Sequence, residues 1–323
     1  MLRIGILGAA RIAPRAIIEP ARRRDDVAIA AVASRRPGAA EPYAKAHAIP
    51  RAIDGYEALL ADPDIDLVYN ALPPVDHARL SILALEAGKH VLCEKPFAMN
   101  AREADVMRDT ARRTGRRLIE AFHYRLHPAF QHLIALRRSG ALGDIRSVKA
   151  VFSAYIPFGE HEIRHLPDQG GGALMDLGCY CVHGLRSLMG SEPEIVSASG
   201  RRTRTGVDEA ITATLDFGGV AAELETDMSE GTPYTSTVTV ESARGRVELD
   251  NFVLPHEGHR VREWLDGGFI EHTLAGGTSF DFQLASIVDA LNSGAPHVNE
   301  GDDPVANMAA IDAIYDKAGF GPR

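Results

Sequence analysis

Short apolar runs alternate with amphipathic stretches over the first 122 residues of the chain. Arg3 to Gly8 is an apolar run closed by glycine, and a helical stretch follows to about Arg24. Val27–Ala33, Ile65–Ala71, His90–Glu94 and Arg117–Phe122 are further apolar runs of strand length. Helical patterns separate them at Pro42–Ala48, Tyr56–Leu60, His77–Ala87 and from a capping Asn100 to about Arg113, and Gly88 supplies a helix stop. Strands alternating with helices in this way predict βαβ units with right-handed crossovers and a parallel sheet. Runs with no polar alternation suit strands covered on both faces.

Beyond His123 the period changes. Pro128–Arg138 reads as a helix, Ile145–Tyr155 as a long strand and Leu174–Leu188 as a buried helix. Strand patterns then dominate at Ile195–Gly200, Ala210–Phe217, Val220–Met228, Thr235–Glu241 and Gly245–Asp250. Thr and Val alternate from Thr235 to Val240, as in a half-buried strand. Amphipathic helices follow at Phe280–Asn292 and Val305–Tyr315. The pattern predicts an α/β chain. A Rossmann doubly wound parallel sheet occupies residues 1–122. An α+β domain with an antiparallel sheet, open on one face or covered by another subunit, occupies 123–323.

Composition narrows the function classes. At 323 residues the chain exceeds what one hydrophobic core usually organises, which agrees with two domains. A formal net charge of −9 gives no general attraction to nucleic acid or anionic lipid, so neither is an expected partner. Three cysteines, Cys93, Cys179 and Cys181, make no disulfide framework and fit a reducing cytoplasm. Cys179 and Cys181 lack a second Cys pair or ligand-like His spacing, and no metal site is expected. No leader pattern opens the chain, and no apolar run reaches the ~20 residues of a membrane span.

Gly8-Ala9-Ala10-Arg11-Ile12-Ala13 lies between the first strand and its helix. It reads G-x-A-x-x-A where the dinucleotide fingerprint is G-x-G-x-x-G/A. Gly8 makes the tight turn, Ala10 is small enough for close approach of a pyrophosphate, and Ala13 allows close helix packing. Backbone N–H groups from Ala10, Arg11 and Ile12 at the helix start would meet the phosphates. The second strand ends Ser34-Arg35-Arg36, with no carboxylate for a ribose 2′-hydroxyl. A hydroxyl and two guanidinium groups suit a 2′-phosphate instead, which predicts NADP (NADPH) over NAD.

Two later motifs complete the reading. Glu94-Lys95-Pro96 ends the fourth strand, and Gly170-Gly171-Gly172-Ala173-Leu174-Met175-Asp176-Leu177-Gly178-Cys179-Tyr180 opens a long helix. With the first βα turn they resemble the glucose–fructose oxidoreductase / inositol dehydrogenase / MocA family over essentially the whole chain. Tyr180 stands where many members have His. That resembles the branch with dimeric dihydrodiol dehydrogenase and NADP-dependent xylose dehydrogenase. The resemblance implies a C-terminal domain with a large open, mostly antiparallel sheet that binds substrate and forms a homodimer, or a dimer of dimers. It also implies that Lys95, beside Glu94, lies near the nicotinamide and the reacting oxygen. Asp176 and Tyr180 would face the substrate, and Leu72-Pro73 would form a loop over the cofactor.

The chemistry is consistent with that assignment. Asp176 and Tyr180 are four residues apart on a helix and share a face. Alcohol oxidation needs a base and carbonyl reduction the corresponding acid. A phenol titrating near ~10 is a weak base alone, but an ammonium such as Lys95 favours its ionised form and a developing alkoxide. Tyr180 is therefore the expected acid/base, Lys95 its electrostatic partner and Asp176 a ligand for substrate hydroxyls. His77 is a further candidate for the cofactor cleft, and Arg125, His161 and His165 for substrate, with Arg164 in the same loop. The expected substrate is a sugar, polyol or cyclic diol. The alternative is a non-catalytic NADP-binding sensor of the same fold.

Overall fold

A computed structural model describes residues 1–321 and divides the chain into two units. One comprises residues 1–122 and 280–305, the other 123–279 and the chain from Ala306 onward. In the first unit β1 (Leu2–Leu7), β2 (Val27–Ser34), β3 (Ala52–Asp54), β4 (Leu67–Asn70), β5 (His90–Cys93) and β6 (Leu118–Glu120) form one sheet. Their order is β3-β2-β1-β4-β5-β6, and every pair is parallel. Ile4, Ile6, Val32, Val68 and Leu92 are fully buried, as strands covered on both faces require. Each such side chain contributes roughly 2 kcal/mol of burial. The strand order reverses between β1 and β4, so the loops after these two strands border the ligand-binding crevice of a doubly wound sheet.

Local chemistry sets the helix ends. The Asn100 side chain accepts the Glu103 N–H at 3.0 Å and starts the helix Ala101–Thr114, and Gly115 ends it in a left-handed conformation. The helix after β1 departs from the expected regular helix to Arg24. It opens as a π turn over Pro14–Ile18, continues as α-helix only over Glu19–Arg22, and has Pro14 at its start, where a missing N–H costs nothing.

Residues 280–305 belong with the N-terminal sheet, although by sequence they follow the second one. Asn299 donates to the carbonyls of Glu120 and Phe122 at 3.3 and 3.1 Å, and Glu120 N–H donates to the Asn299 carbonyl at 2.9 Å. Arg117 holds Glu300 through two hydrogen bonds of 2.7 Å. These bonds extend the edge of the sheet at β6. The sequence boundary at residue 122 coincides with the first unit's own break, but the sequence reading leaves 280–305 in the second domain.

In the second unit β7 (Ile145–Ser153), β8 (Glu194–Arg202), β9 (Asp208–Asp216), β10 (Ala221–Asp227), β11 (Thr235–Ser242), β12 (Gly245–Asp250), β13 (Arg260–Leu265) and β14 (Ile270–His272) form one sheet. Its order is β14-β13-β12-β11-β7-β10-β9-β8. Only β7 and β10 pair in parallel. Along β11 buried and half-buried positions alternate strictly, so one face meets the core. The helix that begins at Leu174 packs on that face against β7 and β10. β3, β13 and β14 have no counterpart in the sequence reading. β3 and β14 are three residues long, too short for a period to show.

Two histidines, the buried His127 and the half-buried His90, act as hydrogen-bond acceptors in these frames. His127 Nδ1 accepts the Ala129 N–H at 3.1 Å and caps the helix Pro128–Arg138, and His90 Nδ1 accepts the Arg117 N–H at 3.0 Å. Both pKa values are pulled from 6.5 to about 4, chiefly by burial, then by neighbouring positive groups. A histidine whose folded pKa lies below its unfolded one favours the folded state above the unfolded pKa. That advantage is lost as pH falls through the window between the two. A shift of this size corresponds to on the order of 3 kcal/mol for the buried His127. Resistance to urea should therefore fall steadily from pH 6.5 toward pH 4, and His127→Asn, which keeps an acceptor at the cap, should flatten the slope. An unchanged slope would remove His127 from the account.

Candidate active site

The N-terminal unit builds a cradle where β1 and β4 end. Gly8 has φ of 92°, a conformation that disfavours any side chain, and its N–H donates to the Ala33 carbonyl at 2.9 Å. A Cβ there would lie 2.8 Å from Leu72 Cδ2, so glycine also lets the loop after β4 close against the turn. The Ala10 carbonyl accepts the Tyr43 hydroxyl at 2.8 Å, which fixes the turn from the side of the next helix. Ala13 is fully buried, as close packing of this helix requires.

The turn after β2 is organised by Ser34. Its hydroxyl accepts the Arg36 N–H at 3.1 Å, and both guanidinium groups stand in solvent. Arg35 makes only a long contact of 3.6 Å with Asp76. The Arg36 guanidinium has no ion pair among the described residues. Two exposed cations with fork geometry and no carboxylate at the strand end form a donor set that fits a 2′-phosphate. Ser34 itself is buried, so it shapes this turn through its hydrogen bond.

The turn after β5 is fixed from below. Tyr69, fully buried in β4, donates its hydroxyl to Glu94 Oε1 at 2.5 Å, and Lys95 N–H donates to Glu94 Oε2 at 3.3 Å. Burial pushes the Glu94 carboxyl up, opposed by the Tyr69 hydrogen bond and the Lys95 charge. Glu94 thus anchors the backbone of Lys95. His77 bridges two loops. Its Nε2 lies 2.7 Å from the Leu72 carbonyl and its Nδ1 2.9 Å from the Pro96 carbonyl. The ring is fully buried, and burial lowers its pKa. No ring nitrogen remains for a dinucleotide, so His77 ties the loops after β4 and β5 together and its ring is closed off from solvent. That corrects the sequence expectation.

The C-terminal unit contributes one helix and the loop before it. A Cβ on Gly171 would lie 2.6 Å from the Ile163 carbonyl oxygen and 2.7 Å from that of Arg164. Gly171 and Gly172 donate N–H groups to the carbonyls of Leu166 and Arg164 at 3.0 and 2.9 Å. Only glycine permits so close an approach, and it delivers the Arg164 side chain to Asp176. Arg164 Nε meets Asp176 at 2.7 Å and its Nη1 meets Glu162 at 2.9 Å. The Asp176 charge, then hydrogen bonds to Asp176 and Glu162, raise the Arg164 pKa against the opposing effect of burial.

The helix itself begins as a π turn over Leu174–Gly178 and becomes α-helix over Cys179–Met189. Its first turn is held by Asp208, a fully buried carboxylate. Asp208 Oδ2 accepts the Leu174 N–H at 2.6 Å, and Oδ1 accepts the Tyr315 hydroxyl at 2.7 Å. Tyr180 is buried in an aromatic cluster, its ring 5.5 Å from Phe152, 5.8 Å from Tyr124 and 6.1 Å from His123. Behind it Tyr124 and His183 hydrogen-bond at 2.6 Å. The helix thus presents a half-buried acid and a buried phenol four residues apart.

Residues 2–122 match the oxidoreductase family NAD-binding Rossmann fold of GFO_IDH_MocA, and residues 130–248 match the GFO/IDH/MocA C-terminal domain. The chain belongs to this family. It is 35% identical over 324 residues to D-xylose 1-dehydrogenase (NADP(+)) 2 of Haloferax volcanii, covering 99% of this chain and 98% of that one. It is 38% identical over 232 residues to trans-1,2-dihydrobenzene-1,2-diol dehydrogenase of Oryctolagus cuniculus, covering 70% and 68%. A 3-ketoreductase of Actinomadura kijaniata, solved with NADP and TDP-benzene, superposes with a TM-score of 0.89 at 29% identity over 98% and 97% of the two chains.

Within each half of this family fold the sequence-derived residues fall into distinct places. Gly8, Ala10, Arg11, Ile12, Arg35, Arg36, Leu72 and Pro73 sit on the loops after β1, β2 and β4, Ser34 ends β2, and Glu94 and Lys95 follow β5. Asp176 and Tyr180 share the second unit's helix. His165 is buried, with Nε2 3.0 Å from the Ile156 carbonyl and Nδ1 without a hydrogen-bond partner among the described residues. His161 is exposed and Arg125 half-buried. Asp208 and Tyr124 were invisible in the sequence reading, because their partners Leu174, Tyr315 and His183 lie far along the chain. Replacing Asp208 with Ala leaves a buried N–H and a buried hydroxyl unpaired, and stability should fall by about 3 kcal/mol. Asp208→Asn should lose less. Urea unfolding of the two variants decides it, and a loss near zero in Asp208→Ala would refute the role.

Proposed function

We propose that this chain is an NADP-dependent oxidoreductase. It transfers a hydride between the nicotinamide and a CH–OH/C=O carbon of a sugar, polyol or cyclic diol. The observation that carries the proposal is the helix on which a buried phenol, Tyr180, stands beside Asp176 held by Arg164. The similarity to an NADP-dependent xylose dehydrogenase and a diol dehydrogenase supports it. So does the turn Ser34-Arg35-Arg36, whose cations and missing carboxylate suit the 2′-phosphate.

Bound NADP supplies the hydride donor or acceptor. The residues of the chain do the rest. Backbone N–H groups of Ala10, Arg11 and Ile12 bind pyrophosphate, and Leu72 and Pro73 cover it. Tyr180 gives or takes the hydroxyl proton, with its ring orientation held by Phe152, Tyr124 and His123. Lys95, fixed through Glu94, places a positive charge on the oxygen that becomes an oxyanion. Asp176, oriented by Arg164, accepts hydrogen bonds from substrate hydroxyls, and Arg125 and His161 complete the polar lining.

The chain also acts as a homodimer through its C-terminal sheet, a reading supported by the exposed Trp264, Phe269 and Ile270 at one edge and Val196 at the other. Light scattering that returns the mass of a single chain would end it. A reducing cytoplasm suits three buried thiols in no disulfide.

Two kinetic results test the function. Tyr180→Phe should lower kcat by about 10²–10⁴, the usual contribution of acid/base catalysis, with NADP affinity unchanged. Near-wild-type turnover would remove Tyr180 from the chemistry. In wild type, kcat/KM with NADP should exceed that with NAD. The triple substitution Ser34→Ala, Arg35→Ala, Arg36→Ala should erase most of the ratio. A wild-type preference for NAD would overturn the cofactor assignment.

A further inference from the structure

At the β14 edge of the C-terminal sheet, three side chains from three different elements converge far from Asp176 and Tyr180 in sequence. His132 comes from the helix Pro128–Arg138, Glu263 from β13 and His272 from β14. Their ligand atoms all lie within 4.8 Å of one another. His132 Nε2 is 2.7 Å and His272 Nε2 2.8 Å from the same oxygen, Glu263 Oε1. The two imidazole planes are nearly perpendicular, at 84°, with centroids 5.0 Å apart.

The fold fixes this arrangement. Glu263 pairs with Ile270, and Val261 pairs with His272. Glu263 and His272 are therefore diagonal neighbours on one face of the sheet, within reach of long side chains. The helix bearing His132 packs on β12, the next strand in. We propose that His132, Glu263 and His272 form a binding site for one borderline divalent cation of the Zn²⁺ class.

Two neutral imidazoles and one carboxylate suit Zn²⁺, Co²⁺ or Ni²⁺, and are a poor set for Mg²⁺ or Ca²⁺, which take oxygen ligands. Without an ion the carboxylate oxygen accepts both N–H groups. Binding replaces those two N–H···O bonds with metal bonds. Each imidazole then carries its proton on Nδ1, and neither Nδ1 makes a hydrogen bond within the described residues, so nothing in the protein opposes that tautomer. Tetrahedral coordination at about 2.0–2.1 Å places ligand atoms about 3.3 Å apart, so the site opens by roughly half an ångström. His132 and His272 are 25% and 32% exposed at the side chain, which gives a hydrated ion a path in and leaves water in the remaining position. β14 is the last strand of the sheet and three residues long. A cation would clamp it to the helix and to β13, and would stabilise the folded state through binding that the unfolded chain cannot offer.

The test uses the full chain after EDTA treatment and dialysis, at pH 7.5. Calorimetric titration with ZnCl₂ should show one equivalent bound, and CoCl₂ should give visible d–d bands. Excess Zn²⁺ should raise the thermal midpoint. The substitution pair His132→Ala, His272→Ala should abolish the equivalent and the Co²⁺ bands. Glu263→Gln should weaken binding by at least about tenfold, the size of effect that loss of a supporting partner alone can produce. His272→Gln, on the exposed edge strand, serves where the double variant is misfolded by circular dichroism. No stoichiometric binding by wild type, or binding undiminished in whichever of these folded His variants is measured, overturns the proposal.

Discussion

The buried Asp208 carboxylate holds the first turn of the helix Leu174–Met189 in place. It is fully removed from solvent and meets two donors, the Leu174 N–H and the Tyr315 hydroxyl. A buried carboxylate is tolerable only with its lone pairs satisfied, so the same bonds that make Asp208 admissible fix the first turn of the helix bearing Asp176 and Tyr180. Tyr315 lies in the last helix and Asp208 at the start of β9, so a single carboxyl joins the sheet, the last helix and the helix bearing Asp176 and Tyr180.

Glycine provides the complementary constraint at the other side of that helix. At Gly171 the backbone runs against the carbonyls of Ile163 and Arg164, which leaves no volume for a Cβ. The contact carries Arg164 to Asp176 and makes the acid one member of a three-residue ionic cluster with Glu162. Both helices that open a functional motif, after Ala13 and after Ala173, begin with a π turn. A π turn inserts one residue relative to an α turn and recurs at functional sites. In the first, the Glu19 N–H reaches back five residues to the Pro14 carbonyl. In both places small residues precede the widened turn, so the chain approaches closely before it winds.

Much of this was legible from residues alone, where local pattern and local structure coincide. Strands alternating with helices up to Phe122 gave the parallel sheet, because strands covered on both faces leave an unmistakable apolar signature. Asn100 and Gly88 mark helix ends through their own side-chain and backbone chemistry. Ser34-Arg35-Arg36 was readable as a cationic turn because the missing carboxylate is a local fact. Long-range pairing was not readable. His77 looked like a cleft residue, yet its two carbonyl partners come from the loops before and after it and use the whole ring. His165 is held by the Ile156 carbonyl through one ring nitrogen, a contact that loop packing supplies and no local pattern shows. Asn299 and Glu300 return to β6 from beyond the second sheet, and no period in the sequence announces that return.

His132, Glu263 and His272 extend that argument to its limit. Their separations of 131 and 9 residues follow no ligand motif, and β13 and β14 escaped a reading that searched for longer alternation. The convergence comes from register. Once Val261 pairs with His272, the pleat places Glu263 and His272 on one face, and the helix packed on β12 supplies the third group. Sheet register can therefore assemble a metal-ligand set that is absent from any sequence window. It does so at a sheet edge, where a three-residue strand has the fewest hydrogen bonds of its own and where a cross-linking ion would add most to local stability.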